Sequence, residues 1–200
     1  MLERETGLRL SRVTLCGWVM AVGELLMPIV GAMRRELLSG GYIQADETPV
    51  DVQSERTKGK NHQAYLWQYS RPGGQVVFDF QLDRGRQGPR QFLGEFAGIL
   101  QTDGYTGYGK VGGKDMVHAG CWAHARRYFF QAVRLNRRDL LALGIVAEID
   151  KLFELEAEAK AAGLGAAERL GLRGKKLSRS LKVLNNGLNR PERSRSHAAL

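Results

Sequence analysis

The chain has 200 residues, of which 43% are hydrophobic and 26% are charged. This length and composition are ordinary for one globular domain with a substantial core. Two cysteines are too few for a disulfide framework, which excludes a disulfide-stabilised secreted scaffold and favours a reducing compartment. We therefore expect a cytoplasmic protein.

The net charge of +9 is concentrated at the C-terminus. Residues 171–200 contain eight Lys and Arg and one Glu, which gives 8 − 1 = +7 and leaves 9 − 7 = +2 for residues 1–170. A basic segment of this kind attracts polyanions such as nucleic acid, in a salt-sensitive and sequence-independent way. The pattern predicts a basic, largely disordered tail over 171–200, and a solvated end without a partner is the alternative.

The first element in the chain is a long apolar segment. Val13 to Met33 has no Lys or Arg, so it resembles a membrane span in length and composition. However, a stripe of small or polar residues that includes Glu24 and Pro28 runs along one side of it. We predict an amphipathic helix with Thr14 as N-cap, ending near Leu38, which packs on the protein core as an N-terminal element over 1–40. No membrane partner is expected.

Short apolar runs closed by turn residues follow, and they predict strands. We expect strands at 42–46, 62–69, 76–82, 98–103 and 117–122, with a polar loop between the first two. Helical periodicity predicts helices at 90–96, at 124–135 and from Asp139 to near 163. The order of elements favours an α/β domain over 41–170, built on a mixed five-stranded sheet with flanking helices.

Two of these strands end in an aspartate. Asp46 closes the first predicted strand and Asp103 the fourth, where an open α/β sheet places its binding crevice. Either aspartate alone is more simply a turn former or a helix cap. Together, two converging carboxylates repel unless a divalent cation binds them, as in metal-assisted phosphoryl transfer. Glu47 points to the opposite face if the strand continues, so we rank it as secondary.

Three motifs in order resemble the catalytic domain of the insertion-sequence-66 family of bacterial transposases: residues 45–49 (ADETP), 100–108 (LQTDGYTGY) and 118–129 (HAGCWAHARRYF). The resemblance implies a ribonuclease-H-like fold and an Asp-Asp-Glu triad that binds Mg²⁺ or Mn²⁺. It also implies cleavage of DNA at element ends, transfer of the 3′-hydroxyl to target DNA, and possible homo-oligomers in a transposition complex. Asp46 and Asp103 match the first two triad positions.

The third acid of the triad is not found. The family places it after a paired-Asn motif, but the sequence from Asn185-Asn186 to Glu192 departs from the family spacing. The resemblance covers about 14–164, and the tail no longer resembles the family. We therefore expect a truncated, inactive form. A non-catalytic DNA-binding or regulatory remnant is the alternative.

Candidate DNA contacts lie near these motifs. His124, Arg126 and Arg127 fall near a predicted helix N-terminus, where an anion is favoured, and Lys110 lies in a Gly-rich loop after Asp103. A surface basic pair without function is the alternative for the two arginines. The spacing of His118, Cys121 and His124 resembles that of metal ligands, but no fourth ligand is obvious, so a packed cysteine is favoured over zinc.

Overall fold

A computed structural model describes Gly7, residues 10–53 and residues 60–188 of the chain. The chain divides into two compact units, residues 1–120 and residues 121–200. We call them the sheet unit and the helical unit. This boundary falls inside the range 41–170 that the sequence suggested as one domain.

The sheet unit begins with α1, Arg12–Leu38. Its N-cap is Ser11, whose side chain accepts a hydrogen bond from the backbone N–H of Thr14, so the predicted cap was three residues too late. The C-terminal end agrees with the prediction. Leu37 is buried, and Val30, Met33 and Leu38 pack against the core of the sheet unit.

The N-terminal part of α1 has a different environment. Its large apolar side chains from Val13 to Ile29 are exposed, with Trp18 at 56% and Leu25 at 78%. The helix is long and apolar enough to cross a membrane, with a mean hydropathy of 1.8 over 18 residues, none of them buried. Length and composition do not distinguish a membrane span from a helix that packs on protein. Contact with the core is observed only at the C-terminal end.

Five strands form one mixed sheet in the order β3-β2-β1-β4-β5. They are β1 (Tyr42–Gln53), β2 (Asn61–Ser70), β3 (Val76–Gln81), β4 (Ile99–Thr102) and β5 (Val117–Gly120). The first three form an antiparallel meander, and β4 and β5 run parallel to β1. The predicted α/β class with a mixed five-stranded sheet is confirmed, and the architecture is consistent with a ribonuclease-H-like fold.

The first strand is longer than predicted. It continues past Asp46 to Gln53 and pairs with β2 as far as Gln53↔Asn61. The residues taken for a loop instead continue the antiparallel pairing, with Val50 and Val52 half-buried and Asp51 and Gln53 exposed, an alternation too short to distinguish from a polar loop. Residues 54–59 of the predicted loop lie outside the described part of the chain.

The core of the sheet unit lies on one face of the sheet. Ile43, Trp67 and Leu100 are fully buried there, and helix α2 (Gln87–Leu93) packs on the same core through Phe92 and Leu93. Pro89 is tolerated because it lies in the first turn of that helix. Gly98, just before β4, is required by a close approach, since a Cβ there would lie 2.6 Å from the carbonyl oxygen of Gly41.

The helical unit contains α3 (Trp122–Leu135), α4 (Leu140–Ala161), α5 (Ala166–Lys176) and α6 (Ser178–Leu188). The side chain of Asp139 caps α4 by accepting the N–H of Ala142, as predicted. Leu184 joins Ile149 in a small apolar core. The predicted disordered tail is therefore helical over 171–188, because its sparse leucines have a core to pack against. Residues 189–200 lie outside the described chain.

Candidate metal centre

The register between β1 and β4 brings the two predicted aspartates to the same level. The parallel pairs include Tyr42↔Ile99 and Gln44↔Gln101, an offset of 101 − 44 = 57 residues. Continued by two residues, that offset places Asp46 level with Asp103, since 46 + 57 = 103. Side chains alternate along a strand, and partners in register share a face. By this offset Asp46 and Asp103 correspond in position, with Asp103 directly after the end of β4 at Thr102.

The sheet face that carries the aspartates is polar next to them. The Tyr42 hydroxyl donates to Oε1 of Gln101 at 2.5 Å, and Nε2 of Gln44 donates to the same oxygen at 2.8 Å. Asp46 is exposed and Asp103 half-buried. We call this side of β1 and β4 the open face. Its hydrogen bonds join the two strands directly before the aspartates.

Each aspartate also accepts a local backbone hydrogen bond. Oδ1 of Asp46 accepts the N–H of Glu47 at 3.0 Å, and Oδ1 of Asp103 accepts the N–H of Tyr105 at 2.8 Å. Gly104 has a φ of +92°, which a residue with a Cβ rarely adopts. Asp103 is thus a turn former, as one alternative proposed. A carboxylate has two oxygens and about four acceptor sites, so this role is compatible with metal binding.

Glu47 lies on the opposite, buried face, and its side chain is only 1% exposed. Nε and Nη2 of Arg84 donate to its Oε1 at 2.9 and 2.5 Å, and the Tyr108 hydroxyl donates to its Oε2 at 2.8 Å. A buried carboxylate needs partners of this kind, because an unpaired buried charge is costly. Sequence reasoning placed Glu47 on the correct face but missed its partners, because no spacing signal links it to Arg84, 37 residues away.

Aromatic rings flank this ion pair, in which the Arg84 side chain is 43% exposed. The Arg84 guanidinium lies 3.9 Å from the ring centroid of Tyr105, and the Tyr105 hydroxyl donates to the Arg84 carbonyl at 2.7 Å. Trp67 contacts Tyr108 edge-on, with centroids 5.4 Å apart. Hydrogen bonding to Glu47 raises the pKa of Arg84. Burial raises the pKa of Tyr108, and its hydrogen bond to Glu47 raises it further. Tyrosine and arginine are protonated at neutral pH in any case, so the shifts strengthen and do not change this state.

The predicted DNA contacts fall into both units. Lys110, in the sheet unit, is exposed and has a φ of +60°. In α3 of the helical unit, Arg127 is exposed and His124 half-buried. Arg126 forms a two-pronged ion pair with Asp150, at 2.5 and 3.2 Å, and this hydrogen bonding raises the pKa of Arg126. Its charge is therefore already partly compensated within the helical unit.

Larger metal clusters are absent from the described residues. Among them, no group of three or more His, Cys, Asp and Glu side chains is arranged to hold a metal ion. The residues His118, Cys121 and His124, whose spacing resembles that of metal ligands, are among the described residues and do not form such a group. Cys121 is half-buried and is a free thiol.

The whole chain matches a known family. Residues 1–199 match the model of the transposase IS66 family, so the chain belongs to that family. The match confirms the family that the three motifs indicated. It also extends beyond the predicted limits of 14 and 164, so the prediction that the tail no longer resembles the family was wrong.

Three relatives of the chain are uncharacterized proteins of Sinorhizobium fredii (strain NBRC 101917 / NGR234). The protein y4qI is 31% identical over 188 residues, which cover 86% of this chain and 34% of the relative. The proteins y4hP and y4jD are 29% and 30% identical, covering 85% and 84% of this chain. The chain thus spans about a third of the length of these relatives. No solved structure matches it significantly.

Proposed function

We propose that this chain contributes the metal-binding sheet of a DNA transposase, with Asp46 and Asp103 as ligands of Mg²⁺ or Mn²⁺. The observation that carries the proposal is the offset of 57 residues between paired positions of β1 and β4, which relates Asp46 to Asp103 when it is continued just past the end of β4. Family membership supports transposition as the process. DNA, both element ends and target, is the proposed partner, and the cytoplasm the proposed compartment.

The donor set fits the proposed ions. Carboxylate oxygens are the hard ligands that Mg²⁺ prefers, and this ion usually binds one or two carboxylates while keeping several waters. The exposure of Asp46 leaves room for water and for a phosphate group. When bound, the metal would activate the attacking water or 3′-hydroxyl and stabilise the leaving oxygen. The chain's own contribution is to hold two carboxylates on adjacent strands, one of them oriented by the turn at Gly104.

Titration with Mn²⁺ tests the metal site on the chain as it is. We expect Asp46→Asn and Asp103→Asn each to weaken binding at least about tenfold, because the number of charged ligands sets the affinity. Asp51→Asn is the matched control, since it alters an exposed carboxylate of the same strand on the other face. Equal affinity in wild type, Asp46→Asn and Asp103→Asn would overturn the proposal.

We further propose that this chain alone does not cleave DNA, because the described residues offer no third acid beside the two aspartates. Incubation with supercoiled plasmid and Mn²⁺ tests this part. We expect no nicking above background. Nicking that Asp46→Asn abolishes would refute this part and would leave the metal site standing.

A second candidate is DNA binding without catalysis. The observation that favours it is the net charge of +7 over 171–200. Part of that charge is paired within the helical unit, where Arg173 contacts Glu156 and Lys176 contacts Glu158. Such binding would fall steeply with salt and would survive Asp103→Ala. A duplex-binding assay at several salt concentrations separates the two candidates, since the metal site predicts a contribution from Asp103 in Mn²⁺.

A further inference from the structure

One buried carboxylate joins three segments that are far apart in the sequence. Glu47 belongs to β1, Arg84 to the connection between β3 and α2, and Tyr108 to the short 3-10 helix Thr106–Tyr108 after β4. Arg84 contacts Oε1 and Tyr108 contacts Oε2, so both oxygens of the carboxylate are used. We call these three residues the Glu47 network.

The position of this charge is unusual for a purely structural group. Ile43 and Ala45, which precede it on the same face of β1, are buried and apolar. An apolar side chain at 47 would avoid the cost of desolvating a carboxylate that is only 1% exposed and whose partner Arg84 is itself 43% exposed. A buried carboxylate at this position therefore calls for a role besides stability.

The network is joined to Asp46 by one hydrogen bond and to Asp103 by two hydrogen bonds through Tyr105. On β1, the backbone N–H of Glu47 donates to Oδ1 of Asp46. On the other side, Tyr105 donates its N–H to Oδ1 of Asp103, and its hydroxyl donates to the carbonyl of Arg84. A shift of the Glu47 network would therefore reach Asp46 through its neighbour and Asp103 through the 105–108 segment.

We propose that the Glu47 network positions Asp46 and Asp103, by fixing the loop that carries Asp103 against β1 and so setting the separation of the two carboxylates. Glu47, Arg84 and Tyr108 are positioning residues and do not touch the metal. The inference rests on the proposed metal site at Asp46 and Asp103. Outer partners that orient metal ligands typically affect metal affinity about 10–100-fold when removed.

The test is Mn²⁺ affinity, measured by calorimetric titration on variants that circular dichroism shows to be folded. Glu47→Gln keeps the shape but removes the charge, and we expect affinity to fall about 10–100-fold. Arg84→Ala is expected to act similarly, and Arg84→Lys to restore part of the loss, since lysine keeps the charge without the two-pronged geometry. Tyr108→Phe removes one hydroxyl and is expected to have a smaller effect in the same direction.

Arg71→Ala is the matched control. It breaks the ion pair of Arg71 with Glu36, at 3.1 Å, which also links two segments of the sheet unit but is exposed and has no contact with the network. Its Mn²⁺ affinity is expected to equal that of the wild type. A loss in this variant equal to that in Arg84→Ala would overturn the inference, because any broken ion pair would then suffice.

The other outcomes are equally decisive. If Glu47→Gln and Arg84→Ala bind Mn²⁺ like the wild type while Asp46→Asn loses binding, the network is only structural and the inference fails alone. If Asp46→Asn and Asp103→Asn bind as the wild type does, the proposed metal site itself fails. Should Glu47→Gln not fold, Tyr108→Phe decides, because unchanged affinity in that folded variant would overturn the inference.

Discussion

The two faces of the sheet give two neighbouring acids, Asp46 and Glu47, different solvent exposure and different partners. Asp46 is exposed on the open face, beside the hydrogen-bonded side chains of Tyr42, Gln44 and Gln101. Glu47, the next residue, is 1% exposed on the buried face and is held by Arg84 and Tyr108. Strand alternation alone separates the two environments. Asp46 thereby lies at the solvent-exposed surface, whereas the charge of Glu47 is compensated by Arg84.

Replacing an aromatic side chain by alanine should lower the free energy of unfolding far more on the buried face than on the open face. Trp67 is fully buried and contacts Tyr108, so Trp67→Ala should lower the free energy of unfolding by about 3–5 kcal/mol. Phe78, on β3, is 54% exposed on the other face, and Phe78→Ala should cost about 1 kcal/mol or less. Urea unfolding of both variants measures the contrast. Similar losses would show that the open face is covered in solution.

The next largest difference in stability is expected between alanine substitutions of the adjacent acids Glu47 and Asp46. Glu47→Ala leaves Arg84 and Tyr108 without their acceptor and should destabilise the protein by about 1–3 kcal/mol, with Arg84 at 43% exposure able to recover some hydration. Asp46→Ala should destabilise the protein less than Glu47→Ala does, because Asp46 is exposed. The same denaturant titration checks both. Equal effects would contradict the assignment of the two carboxylates to different environments.

The turn after Asp103 should be sensitive to a smaller change. Because Gly104 has a φ of +92°, Gly104→Ala strains the backbone and should cost about 1–2 kcal/mol while also weakening Mn²⁺ binding. Gly41→Ala is the control, since a Cβ there meets nothing within 4 Å and the φ is ordinary. Unfolding and Mn²⁺ titrations of the pair give the answer. If Gly104→Ala is destabilised but binds Mn²⁺ with wild-type affinity, the turn conformation does not contribute to the metal site.

The smallest effect is expected from a surface ion pair in the helical unit. Hydrogen bonding to Arg173 lowers the pKa of Glu156, so the pair stabilises the fold at neutral pH, and this contribution is lost as pH falls through the lowered pKa. Both side chains are partly exposed, at 48% and 36%, so solvent screening keeps the effect small. The Tm from thermal unfolding should fall between neutral pH and a pH below about 4.5, and this fall should be smaller for Glu156→Gln than for the wild type. An equal fall in both proteins would mean that the pair is not formed in solution.

Much of the fold follows from local pattern. The β-strand runs, the cap at Asp139 and the end of α1 near Leu38 could be predicted from short segments of sequence, whereas the register that relates Asp46 to Asp103 comes from the pairing of β1 with β4. The continuation of β1 to Gln53 was missed because the alternation of Val50 and Val52 with Asp51 and Gln53 is short and follows Pro49, which favours a turn or loop. The partners of Glu47 depend on tertiary contacts with Arg84 and Tyr108, and α6 depends on a core that Leu184 completes. No local signal encodes such contacts.

Paramagnetic broadening by Mn²⁺ tests the central claim most directly. In two-dimensional amide spectra of the labelled chain, substoichiometric Mn²⁺ should selectively broaden the amide signals of Glu47, Gly104 and Tyr105, which neighbour the two carboxylates. Asp46→Asn should abolish this broadening. The account would be contradicted if the broadening instead centred on the exposed acids of α4 in the helical unit, or if it were the same in Asp46→Asn.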